Sequence, residues 1–384
     1  MENIKKMISM ADNKNIGIIS YHREPNYGTM LQAYALAEAI RKNGFNCEYI
    51  DYYESTKPSF LRTSLRAIYH FLGFPSRGEF GFFDTKRFRG IRDAFEFFHK
   101  KYIPVSKKKF YFDTLASLSG SYDFFITGSD QTWSPAMNQS PYSINFLPFV
   151  NSAEKKRSYA PSIGTICINE NFQSRLIKEL CSYSFLSCRE RPNCEKLSEL
   201  LGKKIIYVLD PTLLLTSDDW DAIAKSSKVG EDYILAYILG TKQCISDYAE
   251  RLGYETGLPV YYIITRPEYL SKTYKLDCIG PQDFIGLIKG AKYVVTDSFH
   301  GTLFSINYNK DFYSFSKRED DAKLNDNDRI VSFLSELGIE GRFIKDSDYH
   351  NLIDMNPIDY EKVNKTLDGL RCESREYLNR LLVG

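Results

Sequence analysis

The residues best placed to do chemistry in this sequence gather around His300, in the stretch Thr296-Asp297-Ser298-Phe299-His300-Gly301-Thr302. An imidazole can supply a proton or a charge-assisted hydrogen bond near neutral pH. The apolar run Tyr293-Val294-Val295 comes before it and Leu303-Phe304-Ser305-Ile306 after it. That pattern predicts a buried strand, a tight turn and a helix start. Asp297 or Ser298 would then be the N-cap, with His300 in the first turn and Gly301 allowing close backbone approach. The free N–H groups of that turn, with Ser298, Gly301 and Thr302 around them, favour an anion such as phosphate or carboxylate. Asp297 adds a carboxylate beside the imidazole. The plainer reading of the same residues is a capped helix with a structurally bonded histidine.

Three other strings have the same character. Gly128-Ser129-Asp130-Gln131-Thr132-Trp133 follows the apolar Phe124-Phe125-Ile126-Thr127. It joins a carboxylate, an amide and an indole, a set that can grip sugar hydroxyls while the ring stacks on a pyranose face; a structural turn is the plainer reading. Ser187-Cys188-Arg189-Glu190-Arg191-Pro192 carries two guanidinium groups able to clamp carboxylate or phosphate, although arginines also open helices for ordinary reasons. Asn26-Tyr27-Gly28-Thr29 leads into an amphipathic run, with one glycine where a dinucleotide site uses G-x-G-x-x-G, so nucleotide binding has weak support. His22, Ser162, Gly164 and Asp210 also fall just past apolar runs. No H-E-x-x-H, G-x-x-x-x-G-K-[ST] or G-x-S-x-G string occurs, and the chain has five histidines. The expectation is therefore chemistry without a metal or other cofactor.

These strings gain meaning if they sit at strand ends, because ligands of open parallel sheets bind beyond the carboxyl ends of the strands. Asn15 to Tyr21 reads as a strand, Thr29 to Gly44 as an amphipathic helix and Phe45 to Tyr53 as a second strand. Such a βαβ unit predicts parallel strands. A basic aromatic segment follows, read as mostly helical with Pro75 and Pro104 as breakers, and it has the look of an insertion. Strands resume at Tyr122 and recur to Leu215, with helices at Asn169 to Tyr183 and Pro192 to Leu201. A second alternating set begins after Ser217-Asp218-Asp219-Trp220. The predicted fold is α/β, two Rossmann-like domains facing a cleft, 1–216 and 217–350, with a tail of one or two helices at 351–384.

Composition agrees with a folded, two-domain chain: 384 residues, 43% hydrophobic and 26% charged, with a net charge of +1. Nothing in that balance points to nucleic acid. Charge is uneven, however. Lys57 to Lys109 holds 13 Lys or Arg against 4 acids, interleaved with phenylalanines. That reads either as solvated helical faces or as a surface meeting anionic lipid or a phosphorylated substrate. The eight cysteines lack C-x-x-C spacing, which suits a reducing compartment without a disulfide scaffold. With neither a signal-peptide core nor a long apolar run, the expected location is the cytoplasm, with peripheral contact at the inner face of a membrane.

Taken in order, NYGTMLQAYAL, GSDQTW, YAPSIG, CRE, VLDPTLLL and TDSFHGTLFSINYNK resemble the polysaccharide pyruvyl transferase family, from about Ile16 to Arg342. The resemblance implies a two-domain, GT-B-like fold. It also implies transfer of pyruvate from phosphoenolpyruvate onto two hydroxyls of one sugar, as a cyclic ketal on a cell-surface glycan or its lipid-linked precursor. His300 would be the central catalytic residue, Arg189 the basic residue of the first domain, and Asp297 their companion. Donor anions would meet Ser298, Gly301, Thr302, Arg191 and Arg329, and the acceptor Asn26, Tyr27, Ser129, Asp130, Gln131 and Trp133. Characterised members often carry Arg-Leu-His where this chain has Ser298-Phe299-His300, which leaves Arg329 as the alternative holder of the anion. Two rivals stay open: a GT-B glycosyltransferase using a nucleotide sugar, and a non-catalytic glycan-binding protein.

Overall fold

The computed structural model describes residues 14–53, 86–135, 138, 143–164, 170–227, 229–265, 269, 271–317, 327–345, 348–349 and 356–384. Its first parallel sheet runs in the order β3-β2-β1-β4-β5, with β1 Asn15–Ile19, β2 Asn46–Tyr53, β3 Val105–Tyr111, β4 Phe124–Thr127 and β5 Lys156–Ser158. A parallel bridge from Arg157 to Phe185 continues it toward a short pair, β6 Ser187–Cys188 and β7 Ile206–Tyr207. Helices α1 Tyr27–Lys42, α2 Lys86–Tyr102, α3 Glu170–Leu180 and α4 Arg191–Leu201 supply crossovers of the length that parallel pairing needs.

Two short helices, α5 Pro211–Leu214 and α6 Ser217–Asp221, lead to a second parallel sheet in the order β10-β9-β8-β11-β12-β13. Its strands are β8 Ile234–Tyr237, β9 Val260–Ile263, β10 Lys275–Leu276, β11 Tyr293–Thr296, β12 Asp311–Phe315 and β13 Phe343–Ile344. They alternate with α7 Gln243–Thr256, α8 Pro281–Gly290, α9 Phe299–Asn307 and α10 Asn327–Glu336. The central strand β11 shows why the pattern folds this way. Its Val294 and Val295 point to opposite faces and both are fully buried, as expected where helices cover the two sides of a sheet.

The domains meet through the start of α1. Tyr27 stacks on Phe284 of α8, ring centres 4.7 Å apart, meets Tyr237 edge-on at 5.5 Å, and donates from its hydroxyl to the carbonyl of Ile279 at 2.8 Å. Each aromatic pair is worth about 0.5–1.5 kcal/mol beyond its buried area. The tail is a single helix, α11 Tyr360–Val383, that ties both domains. Just before it, the N–H of Ile358 bonds Asp311 of the second sheet at 2.9 Å, while Tyr377 bonds the carbonyl of Ser158 in the first at 2.9 Å.

The basic segment was expected to be mostly helical; α2 is, but Val105–Tyr111 forms an edge strand whose Lys107, Lys108 and Lys109 are exposed, and charged edges of this kind discourage further pairing. Most of that segment, 54–85, lies outside the described residues, as does Cys167. The reading without disulfides is corrected at one place: Cys188 and Cys194 are joined, because the turn from β6 into α4 brings their Cα atoms to 5.8 Å.

Candidate active site

The string around His300 folds as its pattern predicts. Ser298 is the N-cap of α9, its Oγ accepting from the N–H of Gly301 at 3.3 Å. The turn is tight because Thr296 bridges it: Oγ1 donates to the carbonyl of Tyr237 at 2.6 Å and accepts from the N–H of Ser298 at 3.0 Å. A β-carbon on Gly301 would lie 2.6 Å from that same Oγ1, so the close approach this glycine allows is to its own strand. Thr302 is buried, its hydroxyl shared with the carbonyl of Ser298 and the hydroxyl of Ser314. Asp297, the expected companion of His300, is engaged by the loop after β8. It accepts from the N–H groups of Leu239 at 2.7 Å and Gly240 at 2.6 Å, while burial holds its pKa above the usual carboxylate value.

His300 instead meets residues of the first domain. Its Nε2 lies 3.5 Å from Oδ2 of Asp210, the residue after Val208-Leu209 that caps α5. The same Oδ2 accepts from Nη1 of Arg189 at 2.6 Å. Oδ1 of Asp210 accepts from the N–H of Thr212 at 2.9 Å and from its hydroxyl at 2.7 Å. Burial alone would raise the pKa of Asp210, but His300, Arg189 and Thr212 together outweigh it and hold the group well below the usual carboxylate range. Arg189 is 5% exposed. Burial pulls its pKa down, but the carboxylates of Asp210, Glu190 and Asp130 around it win and keep the guanidinium charged.

The free edges of these groups define what the site can do. Nε and Nη2 of Arg189 and Nε2 of His300 are buried and make no hydrogen bond, although Glu190 Oε1 stands 3.8 Å from Arg189 Nε and Asp210 Oδ2 3.5 Å from His300 Nε2. A cavity of about 120 Å³ opens beside them between α4, α9 and α10, lined in part by Arg189, Arg191, Asp210, Phe299 and Arg329. The guanidinium carbons of Arg189 and Arg329 stand 4.7 and 5.1 Å from the centre of the Phe299 ring, so two cations share one aromatic wall. Arg191 is at the rim, paired with Glu336 of the second domain and lying 4.3 Å over Tyr207. The site is an interdomain pocket in which three arginines meet the carboxylates of Glu195, Asp210 and Glu336, with the imidazole of His300 reached through Asp210.

The acceptor set divides. Asp130 has a left-handed backbone, φ 66°, and accepts from Thr29 Oγ1 at 3.0 Å, close to the start of α1. Asn26 is exposed and caps α1 through Thr29, and Gln131 is half-buried. Ser129 is buried against the carbonyl of Ala160. Two expectations are corrected. Trp133 is fully buried, edge-on to Tyr183 at 6.0 Å, and cannot stack on a sugar; Tyr27 is committed to the domain contact. Apolar rings in short loops pack inward unless the surface leaves them no partner. The spacing did not single out Glu190, whose carboxylate is held by Ser162 and Asn193 beside Arg189, nor the contact of Gly28 with His300. Among the described residues no group of three or more His, Cys, Asp or Glu side chains could hold a metal ion.

Two parallel-sheet domains meeting across an arginine-lined pocket define a GT-B-like architecture. Within that class, the chain belongs to the polysaccharide pyruvyl transferase family, whose pattern matches residues 26–317. Members of this family are transferases. Among curated proteins none matches the chain. Solved structures that it resembles include the UDP-GlcNAc 2-epimerase of Methanocaldococcus jannaschii, at 10% identity over 92% of this chain and 91% of that one, with a TM-score of 0.47. Arabidopsis thaliana UGT89C1 complexed with quercetin gives 11%, 93%, 99% and 0.41. The E. coli heptosyltransferase WaaC with ADP-2-deoxy-2-fluoro heptose gives 12%, 81%, 91% and 0.36.

Proposed function

We propose that this protein transfers pyruvate from phosphoenolpyruvate onto two hydroxyls of one sugar, in a cell-surface polysaccharide or its lipid-linked precursor. The observation that carries the reading is the convergence of His300 and Arg189, from different domains, on one carboxylate oxygen of Asp210 beside an arginine-lined pocket. In this reading Arg189 and Arg329 hold the carboxylate and phosphate of the donor, a task that planar guanidinium groups perform well. His300 gives a proton to the methylene carbon. A sugar hydroxyl attacks the neighbouring carbon, which gains positive character as the double bond is protonated. The C–O bond to phosphate then breaks, and the second hydroxyl closes the ketal. Two hydroxyl protons leave; one replaces that given by His300 and the other goes with phosphate. Asp130, near the start of α1, orients the acceptor.

Ser298 does not weaken this assignment, since it caps α9 and the neighbouring cavity has guanidinium groups from two other elements. The reading extends to a cytoplasmic protein that meets a lipid-linked acceptor at the inner membrane face. The exposed Arg89, Arg92, Phe97, Lys100 and Lys101 of α2 support that extension. Among the described residues no helix is long and apolar enough to cross a membrane. Flotation with anionic liposomes tests the contact: replacing Arg92, Lys100 and Lys101 by Gln should weaken it, and unchanged partitioning would remove this part of the proposal. The reaction itself is tested by product release. Acceptor-dependent orthophosphate from phosphoenolpyruvate is expected; release of a nucleoside diphosphate from a nucleotide sugar instead would overturn the reading.

A further inference from the structure

The reaction just described uses His300 and Arg189 and gives no task to Asp210, although Asp210 faces both. Capping α5 engages only its Oδ1, through Thr212. The other oxygen is 2.6 Å from Arg189 Nη1 and 3.5 Å from His300 Nε2, and the residue is 2% exposed. A carboxylate so buried is costly unless both oxygens are matched, and a helix cap does not account for where Oδ2 points. On the opposite side of the imidazole, Nδ1 is pressed against Gly28, where a β-carbon would come within 2.1 Å. Both contacts belong to the first domain, whereas the imidazole is carried by α9 of the second. The ring is therefore gripped on two sides by elements to which its own backbone is not attached.

We propose that Asp210 is a positioning residue that fixes His300 across the domain boundary, with Gly28 as the opposing wall, so that His300 and Arg189 form a working pair only while the domains are apposed. Asp210 need not touch the substrate. It takes Nη1 of the Arg189 guanidinium, whose Nε stands 3.8 Å from Glu190, and leaves Nη2 without a hydrogen bond, while its charge orients the imidazole. The kinetic consequence rests on the pyruvyl-transfer reading; the geometric one does not.

Asp210→Asn keeps an oxygen able to cap α5 and removes the charge. The ring nitrogens of His300 in ¹⁵N-histidine-labelled protein report the geometry without turnover. Both Asp210→Asn and Gly28→Ala should move those resonances while the chain stays folded by circular dichroism. Asp210→Asn should also lower kcat by about tenfold to a hundredfold, as small misplacements of a reacting group do. It should not raise KM for phosphoenolpyruvate, because Arg189 loses a competing anion, and Asp210→Glu should recover part of kcat. If Asp210→Asn does not fold, Gly28→Ala alone decides by the same resonances. Unmoved His300 resonances, an unchanged kcat, or a loss of kcat matched by a rise in KM would each overturn the proposal. Should the native protein release no phosphate from phosphoenolpyruvate, the pyruvyl reading fails, and the ring resonances still decide the role of Asp210.

Discussion

The imidazole of His300 fills the space beside Gly28 into which a β-carbon would project, 2.1 Å from Nδ1. The contact joins the first turn of α1 in one domain to the first turn of α9 in the other. Alanine suits a helix better than glycine, but its β-carbon must push a buried ring aside, and overpacking of that kind costs about 1–3 kcal/mol, so Gly28→Ala should fold with a somewhat lower melting temperature while displacing the ring. Transfer activity should fall by about a hundredfold, in line with an ångström-scale misplacement of a catalytic group. Steady-state kinetics beside a thermal melt checks both halves; full activity in a stable variant would contradict the contact.

Asp297 accepts two backbone N–H groups from the loop after β8, at 2.7 and 2.6 Å. Asp297→Ala removes the acceptor from both N–H groups, that of Gly240 buried, and a buried donor that loses its partner costs about 1–3 kcal/mol. The variant should lose about 2 kcal/mol or more in urea unfolding, and Asp297→Asn, which keeps one acceptor, should lose less. Equal stability of all three proteins would show that the loop does not depend on this carboxylate.

His22 Nδ1 and His99 Nε2 are 3.0 Å apart in stacked rings, joining the end of β1 to α2. Burial, reinforced by Arg23 and His99, pushes the His22 pKa down to about 3; burial and Arg23 also lower that of His99. A base with a lower pKa in the fold than in the unfolded chain binds fewer protons when folded, so stability falls with pH wherever the unfolded chain has become protonated. The contribution is complete above the usual value of 6.5 and is lost as pH falls from there toward about 3. Urea midpoints measured above and within that window should differ less in His22→Gln than in the native protein. Equal differences would contradict the assignment.

Much of this was legible in the sequence where period and punctuation agree. The runs Asn15–Ile19, Ile234–Tyr237 and Tyr293–Thr296 are apolar strands followed by turn residues, and each is a central strand. A cap at Asp297 or Ser298 and the first-turn place of His300 follow from local chemistry alone; the structure selects Ser298. What escaped depends on long-range contact. Val105–Tyr111 looks basic rather than strand-like because it is an edge, where lysines are tolerated on the open side. Trp133 and Tyr27 carry groups that could bind sugar, but the fold had apolar partners waiting for both. Asp210 stands out in the sequence only as a residue just past an apolar run; that it caps α5 and that its second oxygen joins Arg189 to His300 depends on three segments more than twenty residues apart being brought together.

The most direct test of pyruvyl transfer is mass spectrometry of glycan acceptors incubated with phosphoenolpyruvate and either the native protein or His300→Ala. A gain of one pyruvate less one water on the acceptor is predicted, slowed by more than about a hundredfold in the variant, the usual worth of a positioned acid. No such gain with any acceptor, or a variant that turns over like the native protein, would contradict the account.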